Sequence, residues 1–295
     1  MNRTPSSPAL FAPSACTLLM IAALVSPEQH AAAQITVRLA PSADVTLYQS
    51  ATGVVASGSG EHLFSGLTLR GAGERRCIVT FDLTTLPADH TITSASLHME
   101  VTRVNSDRAD ITLHRVLNSW NEGPSDAGEP GGYGTQSEAG DTTWLHRNYP
   151  SILWSNPGGD YVTSASASAS NDSEGPITWG TTPALLADLE LWRTTPALNH
   201  GWLLLTFADD LSSARRFASR ENLNDTIRPV LELTLEPSCG TCTADFNCDG
   251  GVDGGDVEVF FMQWADAAIQ ADFNQDGGID GSDVEAFFSR WEQGC

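Results

Sequence analysis

The last fifty or so residues of the chain contain one segment twice, and no other feature restricts the fold as tightly. Ala244–Trp264 aligns with Ala271–Trp291 at a shift of 27, with fifteen of twenty-one positions identical. Identity at that level marks an internal duplication. Each copy opens on an oxygen-rich loop: Asp245, Asn247, Asp249, Asp253 and Asp256, then Asp272, Asn274, Asp276, Asp280 and Asp283. These residues fall at positions 1, 3, 5, 9 and 12 of an EF-hand-type loop, with Gly250 and Gly277 at position 6, where the chain must turn sharply. Gly251 and Gly278 occupy position 7, which contributes only a backbone carbonyl. Calcium is a hard cation that takes six to eight oxygens, and four carboxylates held this close repel one another without it. The spacing therefore predicts two Ca2+ sites.

An amphipathic helix is expected after each loop. Val257, Phe260, Phe261 and Trp264, and likewise Val284, Phe287, Phe288 and Trp291, recur at the spacing of one helix face. The two faces are expected to pack together. A unit this small has little core of its own, so metal binding should be coupled to its folding.

This segment, residues 244–295, resembles type I dockerin domains, in which a calcium loop with Asp at position 12 precedes a single helix. The resemblance implies docking of a secreted protein onto a cohesin-like domain or another cell-surface component, mostly in polysaccharide-degrading systems. One departure concerns positions 10 and 11, where many dockerins carry a hydroxyl pair for cohesin contact. Here they are Gly254-Gly255 and Gly281-Ser282.

Charge follows the same division. The 295 residues hold 37 acidic and 15 basic side chains for a formal net charge of -22, and none of the basic ones is lysine. A surface that tracks phosphates needs clustered Lys and Arg, so nucleic acid is excluded as a partner. Residues 239–295 carry twelve Asp and Glu against one Arg, half of the net charge.

The first 33 residues read as an export signal, with Arg3 in a polar lead, an apolar run from Cys16 to Val25 and the small-residue site Ala31-Ala32-Ala33. The run is too short to span a bilayer and no second candidate follows, so no transmembrane segment is expected in the mature chain. The expected location is extracellular or at the cell surface. In an oxidising compartment Cys239, Cys242, Cys248 and Cys295 are expected to form disulfides that clamp the acidic tail. Cys242 to Cys295 is the pairing favoured, with connectivity left open, and Cys77 stands alone in a strand-like run.

Residues 34–236 are expected to form one β domain, followed by a linker at 237–243. Cys77, Val79, Phe81 and Leu83 recur at every second position, as do Leu97, Met99 and Val101, then Leu203, Leu205 and Phe207, then Leu231, Leu233 and Leu235. That is the period of half-buried strands. The Ser/Ala alternation from Ser164 to Ser170 also reads as a strand packed closely under a neighbour, with a linker as the alternative. One helix is expected over Pro183–Trp192, capped by Thr182 and with Leu185, Leu186, Leu189 and Trp192 on one face. Many strands with one helix indicate a β-sandwich. Between Asn118 and Gly180 the chain is rich in Gly, Ser, Pro and Asn and decorated with aromatics.

The β region resembles the secreted family named for its DNRLRE segment, related to carbohydrate-binding module family 96. The passages that carry the resemblance are Arg76–Leu83 with Leu86-Pro87 and Ile92–Ala95, Ser119–Gly123, Pro157–Tyr161, and Ser219–Glu221 leading to Arg228-Pro229. The resemblance implies a jelly-roll sandwich and an acidic polysaccharide as ligand. Sugar recognition needs aromatic faces beside polar groups, and Trp120, Trp144, Trp154 and Tyr161 with Glu122, Asp141 and Asp160 are the candidates. Burial of these rings in the core is the competing reading. Arg147, Arg215, Arg216 and Arg220 are the candidate contacts for an anionic glycan, with internal ion pairing as the alternative for Arg220. His90, His98 and His114 are expected at the surface. A glycosidase needs two placed carboxylates, which Glu122 and Asp160 could supply. Neither a His-Glu-x-x-His nor a Gly-x-Ser-x-Gly signal is present. Three readings follow: a non-catalytic polysaccharide-binding protein with a docking tail, a polysaccharide lyase or glycosidase with the same tail, and a structural surface protein.

Overall fold

A strand buried on one face must alternate apolar and polar side chains, and the segments that do so are strands. The computed structural model describes residues 34–68, 73–88, 90–105, 108–207, 212–238 and 242–294. The expected export segment, residues 1–33, and Cys239 and Cys295 lie outside them. In chain order the strands are β1 (Ile35–Leu39), β2 (Pro41–Tyr48), β3 (Val55–Ala56), β4 (His62–Leu67), β5 (Glu74–Phe81), β6 (His90–Val104), β7 (Ala109–Arg115), β8 (Thr135–Gln136), β9 (His146–Asn148), β10 (Ile152–Leu153), β11 (Ala167–Asn171), β12 (Gly175–Trp179), β13 (Trp202–Phe207), β14 (Arg215–Ala218) and β15 (Val230–Pro237).

Eleven of them form one antiparallel sheet in the order β1-β15-β6-β14-β4-β5-β13-β7-β11, with β12 added to β6 and β2 to β5. The mainly antiparallel β architecture matches the strand pattern. The two halves of the sheet are joined by β4, which pairs with β14 through His62–Ser65 and with β5 through Gly66 and Leu67. Gly66 makes the switch possible. It has φ of +108, and a Cβ there would sit 2.7 Å from the carbonyl oxygen of Ser213, so only glycine lets the two segments approach.

The sheet curls around a core drawn from both halves, including Val79 and Phe81 of β5, Leu97 and Met99 of β6, and Leu231, Leu233 and Leu235 of β15. Helix α1 (Pro183–Thr194) contributes to it with Leu185, Leu189 and Trp192, and Thr182 caps its start by accepting from the Leu185 N–H. Trp192 and Trp202 meet there with ring centroids 4.6 Å apart.

A second apolar cluster covers the outer face of the same sheet. Val45, Leu47, Ile78, Leu203 and Leu205 pack under Trp144 and Trp154 of the long 118–162 segment. Strands β5 and β13 are thus buried on both sides. Phe207, expected on the buried side with Leu203 and Leu205, is instead 56% exposed at the end of β13.

One surface expectation is overturned. His114 is 6% exposed, its Nδ1 facing the Val162 carbonyl and its Nε2 the Thr112 hydroxyl. The strand that carries it lies between β13 and β11, so no rim is left for it to occupy. His90 and His98 are partly exposed.

In the tail, α2 (Gly254–Ala265) and α3 (Gly281–Gln293) follow the two loops. Their apolar faces meet as expected, with Phe260 and Phe287 fully buried and stacked at 4.2 Å. Phe246 and Phe273, each at loop position 2, pack edge-on against that pair. Among the described residues no helix is long and apolar enough to cross a membrane. Cys77 is buried with a free thiol. Cys242 and Cys248 are disulfide-bonded, but the pairing expected between Cys242 and Cys295 falls outside the described residues.

Candidate functional site

Each tail loop is wound by its own acidic side chains. Asp245 accepts from the N–H groups of Asp249 and Gly250, both at 3.0 Å. Asp256, fully buried, accepts from Asn247 at 3.0 Å and from Asp253 at 2.8 Å. Asp253 caps α2, and Asp256 completes a reciprocal capping box with it. The second loop repeats these contacts. Asp272 accepts from Asp276 and Gly277 at 3.0 Å, and Asp283 from Asn274 at 3.1 Å and Asp280 at 2.8 Å. Cys248 and Gln275 at position 4 have φ of 62 and 60, and Gly250 and Gly277 have 88 and 87. The two loops thus share one backbone path.

Asn247 and Asn274 turn their amides to Asp249 at 2.9 Å and to Asp276 at 3.0 Å. Gly251 and Gly278 donate to the same two aspartates, leaving their carbonyls for other partners. A carboxylate has about four acceptor positions, so each loop aspartate keeps lone pairs free after these bonds. The donor set is all oxygen, which fits a hard divalent cation such as calcium. The loops are also tied across the pseudo-repeat. Trp264 Nε1 donates to the Asp280 carbonyl at 3.1 Å, and Trp291 Nε1 to the Asp253 carbonyl at 3.0 Å. Each helix therefore holds position 9 of the other loop.

The candidate sugar residues occupy different surroundings. Trp144 and Trp154 are 6% and 5% exposed within the outer cluster, and Trp154 donates to the Thr143 carbonyl at 3.1 Å. Their faces are covered by packing, and the Arg76 guanidinium lies 4.8 Å over the Trp144 ring. Trp120 is half-buried and donates to the His200 carbonyl at 2.8 Å. Tyr161 is half-buried too, edge-on to His114 and beneath Arg76. The four rings line the inside of a loop layer and do not form an open platform. Asp141 is buried, accepting from Ser125 and from the Glu138 N–H. Arg215 is buried with Asn171, Arg216 pairs with Glu129, and Arg147 bonds Ser119.

Asp160 shows what such carboxylates do. It is nearly buried and accepts from Ser155 N–H and Asn156 N–H at 2.8 Å, and from the amides of Asn156 and Asn118 at 3.0 Å. Burial by itself raises its pKa, but the four hydrogen bonds outweigh burial and hold the carboxyl below its ordinary value. Its stabilisation is therefore present above the unfolded pKa of ~3.9 and lost as pH falls through the folded value. Asp160→Asn points an amide at two of those donors. It is expected to cost about 2 kcal/mol in urea denaturation at pH 7, with the gap to wild type narrowing at pH 3. An equal loss at both pH values would contradict this account.

Glu122, the remaining sugar candidate, is joined to Arg220 by two hydrogen bonds of 2.6 and 2.8 Å and accepts from the Asp44 N–H at 2.8 Å. Arg220 also meets Glu221 at 2.7 Å, the internal pairing that the sequence left as an alternative. Asp44, Glu122 and Glu221 each offer an oxygen within 4.8 Å of the others, the one such trio among the described residues. Among the described residues no three carboxylates of a tail loop come that close, and each accepts from backbone N–H groups. Nothing but three-dimensional folding brings positions 44, 122 and 221 together, and no local spacing in the sequence signals it. No protein-family model matches the chain, and no curated protein matches it.

Proposed function

We propose that the chain is an exported, non-catalytic β-domain protein whose C-terminal tail, dockerin-like, binds two calcium ions and tethers the β domain to a cohesin-like or other cell-surface partner. The observation that carries this reading is the pair of loops with one backbone path and reciprocal tryptophan ties. Asp245, Asn247, Asp249, the Gly251 carbonyl, Asp253 and Asp256 would hold one ion. Asp272, Asn274, Asp276, the Gly278 carbonyl, Asp280 and Asp283 would hold the other. Bound calcium supplies positive charge that offsets eight neighbouring aspartates. The residues themselves orient the loops, cap the two helices and fix the spacing between them, so that α2 and α3 present one rigid surface.

For the β domain, polysaccharide is the ligand class we infer, on the resemblance of residues 44–235 and on export. The burial of Trp144 and Trp154 directs any sugar contact to other parts of the surface. The test is retention of the full chain on immobilised acidic and neutral polysaccharides and on cell-envelope material, with calcium or with EDTA, followed by a reducing-sugar assay. Glycan binding without product, together with envelope retention that EDTA abolishes, is the expected result. Released reducing sugar would favour the enzyme, and retention indifferent to EDTA would overturn the tethering role.

A further inference from the structure

The β domain contains its own acidic centre, unrelated to the tail. Asp44 lies on β2, Glu122 in the segment after β7, and Glu221 just past β14. The main chain locks them together, for the Asp44 N–H donates to Glu122 and the Arg220 N–H donates to Asp44 Oδ2 at 2.8 Å each. Gly123, with φ of +83, holds Glu122 in place. A Cβ there would fall 2.0 Å from Asp141 Oδ1.

The polar accounting does not close. Among the described residues Arg220 is the one cation paired with these carboxylates, which leaves the trio two net negative charges when all three are ionised. Asp44 is fully buried, and its Oδ1 has no hydrogen-bond partner. Glu221 Oε2 is also buried without one. Unsatisfied buried carboxylate oxygens are costly, and two of them on adjoining members of one trio need a shared positive partner.

We infer that Asp44, Glu122 and Glu221 form a third divalent-cation site, selective for a hard ion such as calcium, that ties β2 to the segments after β7 and β14. The ligands are all carboxylate oxygens, the chemistry that suits calcium or magnesium over softer metals. A +2 ion balances the residual charge and satisfies the two unpartnered oxygens. The site is structural, because it pins three segments distant in sequence and its ligands are committed to holding them.

The test is calcium titration of the full chain by calorimetry alongside thermal melting. Three ions are expected in wild type, two in Asp44→Asn, and one in a chain whose tail loops are disabled by Asp245→Ala with Asp272→Ala. In that tail-disabled chain, saturating calcium is expected to raise the β-domain melting temperature by about 5 °C. Adding Asp44→Asn is expected to abolish the rise. Glu221→Gln, at the partly exposed edge of the trio, gives the same reading should Asp44→Asn fail to fold. A tail-disabled chain that binds no calcium and melts at one temperature with or without it overturns the inference. Failure of the tail reading gives a different result, a single ion in wild type that Asp44→Asn removes.

Discussion

EDTA is expected to remove most of the helical circular-dichroism signal contributed by α2 and α3 while leaving the β-sheet signal in place. The tail has four fully buried apolar residues, Ala244, Phe260, Ala271 and Phe287, with other rings packed partly exposed around the last three. Burying so little apolar surface at ~25 cal/mol per Å2 does not by itself offset the ordering of some fifty residues. Against it stand eight aspartates in two loops, two of them, Asp256 and Asp283, fully buried. With calcium bound, those charges become ligands and the metal's binding free energy becomes folding free energy. Without it they repel. Trp264 and Trp291 report the change independently, since each is bonded to the opposite loop and should become exposed together. A helical signal and tryptophan emission both unmoved by EDTA would count decisively against calcium as the organiser of the tail.

Asp188→Ala is expected to destabilise the β domain more than Asp160→Asn does. Asp188 lies on the buried side of α1, among the leucines. Its Oδ2 accepts from Trp202 Nε1 at 2.9 Å and from the Ser166 hydroxyl at 2.5 Å, and its Oδ1 meets Arg115 at 2.9 Å. Truncation strands a fully buried indole N–H and leaves a partly buried guanidinium without its counter-charge. Removing one partner of such a network costs about 3 kcal/mol, read as a melting temperature lower by about 10 °C. Asp188→Asn, which keeps an acceptor for Trp202, should fall between wild type and Asp188→Ala. If Asp188→Ala unfolds in urea within 1 kcal/mol of wild type, about the worth of one ordinary hydrogen bond, the network is not what anchors α1.

Asp188 also marks where sequence reasoning stopped. The helix, its Thr182 cap and its leucine face were legible because each depends on residues within one or two turns. An aspartate among them reads as solvent-facing until Trp202, Ser166 and Arg115 are known to converge on it. Trp144 and Trp154 were ambiguous for a related reason. Whether a loop tryptophan is a platform or a plug depends on what lies beneath it, and here β5 and β13 have apolar side chains on their outer faces too. Period-two reading reports one buried face per strand and misses the second. His114 was misplaced on the same ground, since alternation does not show how deep in the sheet a strand will lie.

By itself the sequence determined the strand periods, the capped helix, the duplicated loops with their oxygen spacing, and the helix faces that follow them. All of these are written at separations of a few residues, where covalent geometry sets which side chains can meet. Only the tertiary structure decided that the sheet is continuous through Gly66, that the candidate sugar rings are largely packed inward, and that Asp44, Glu122 and Glu221 share one buried centre. Those outcomes depend on contacts between segments scores of residues apart. Their proximity is set by how the strands pair and curl, which no local pattern encodes.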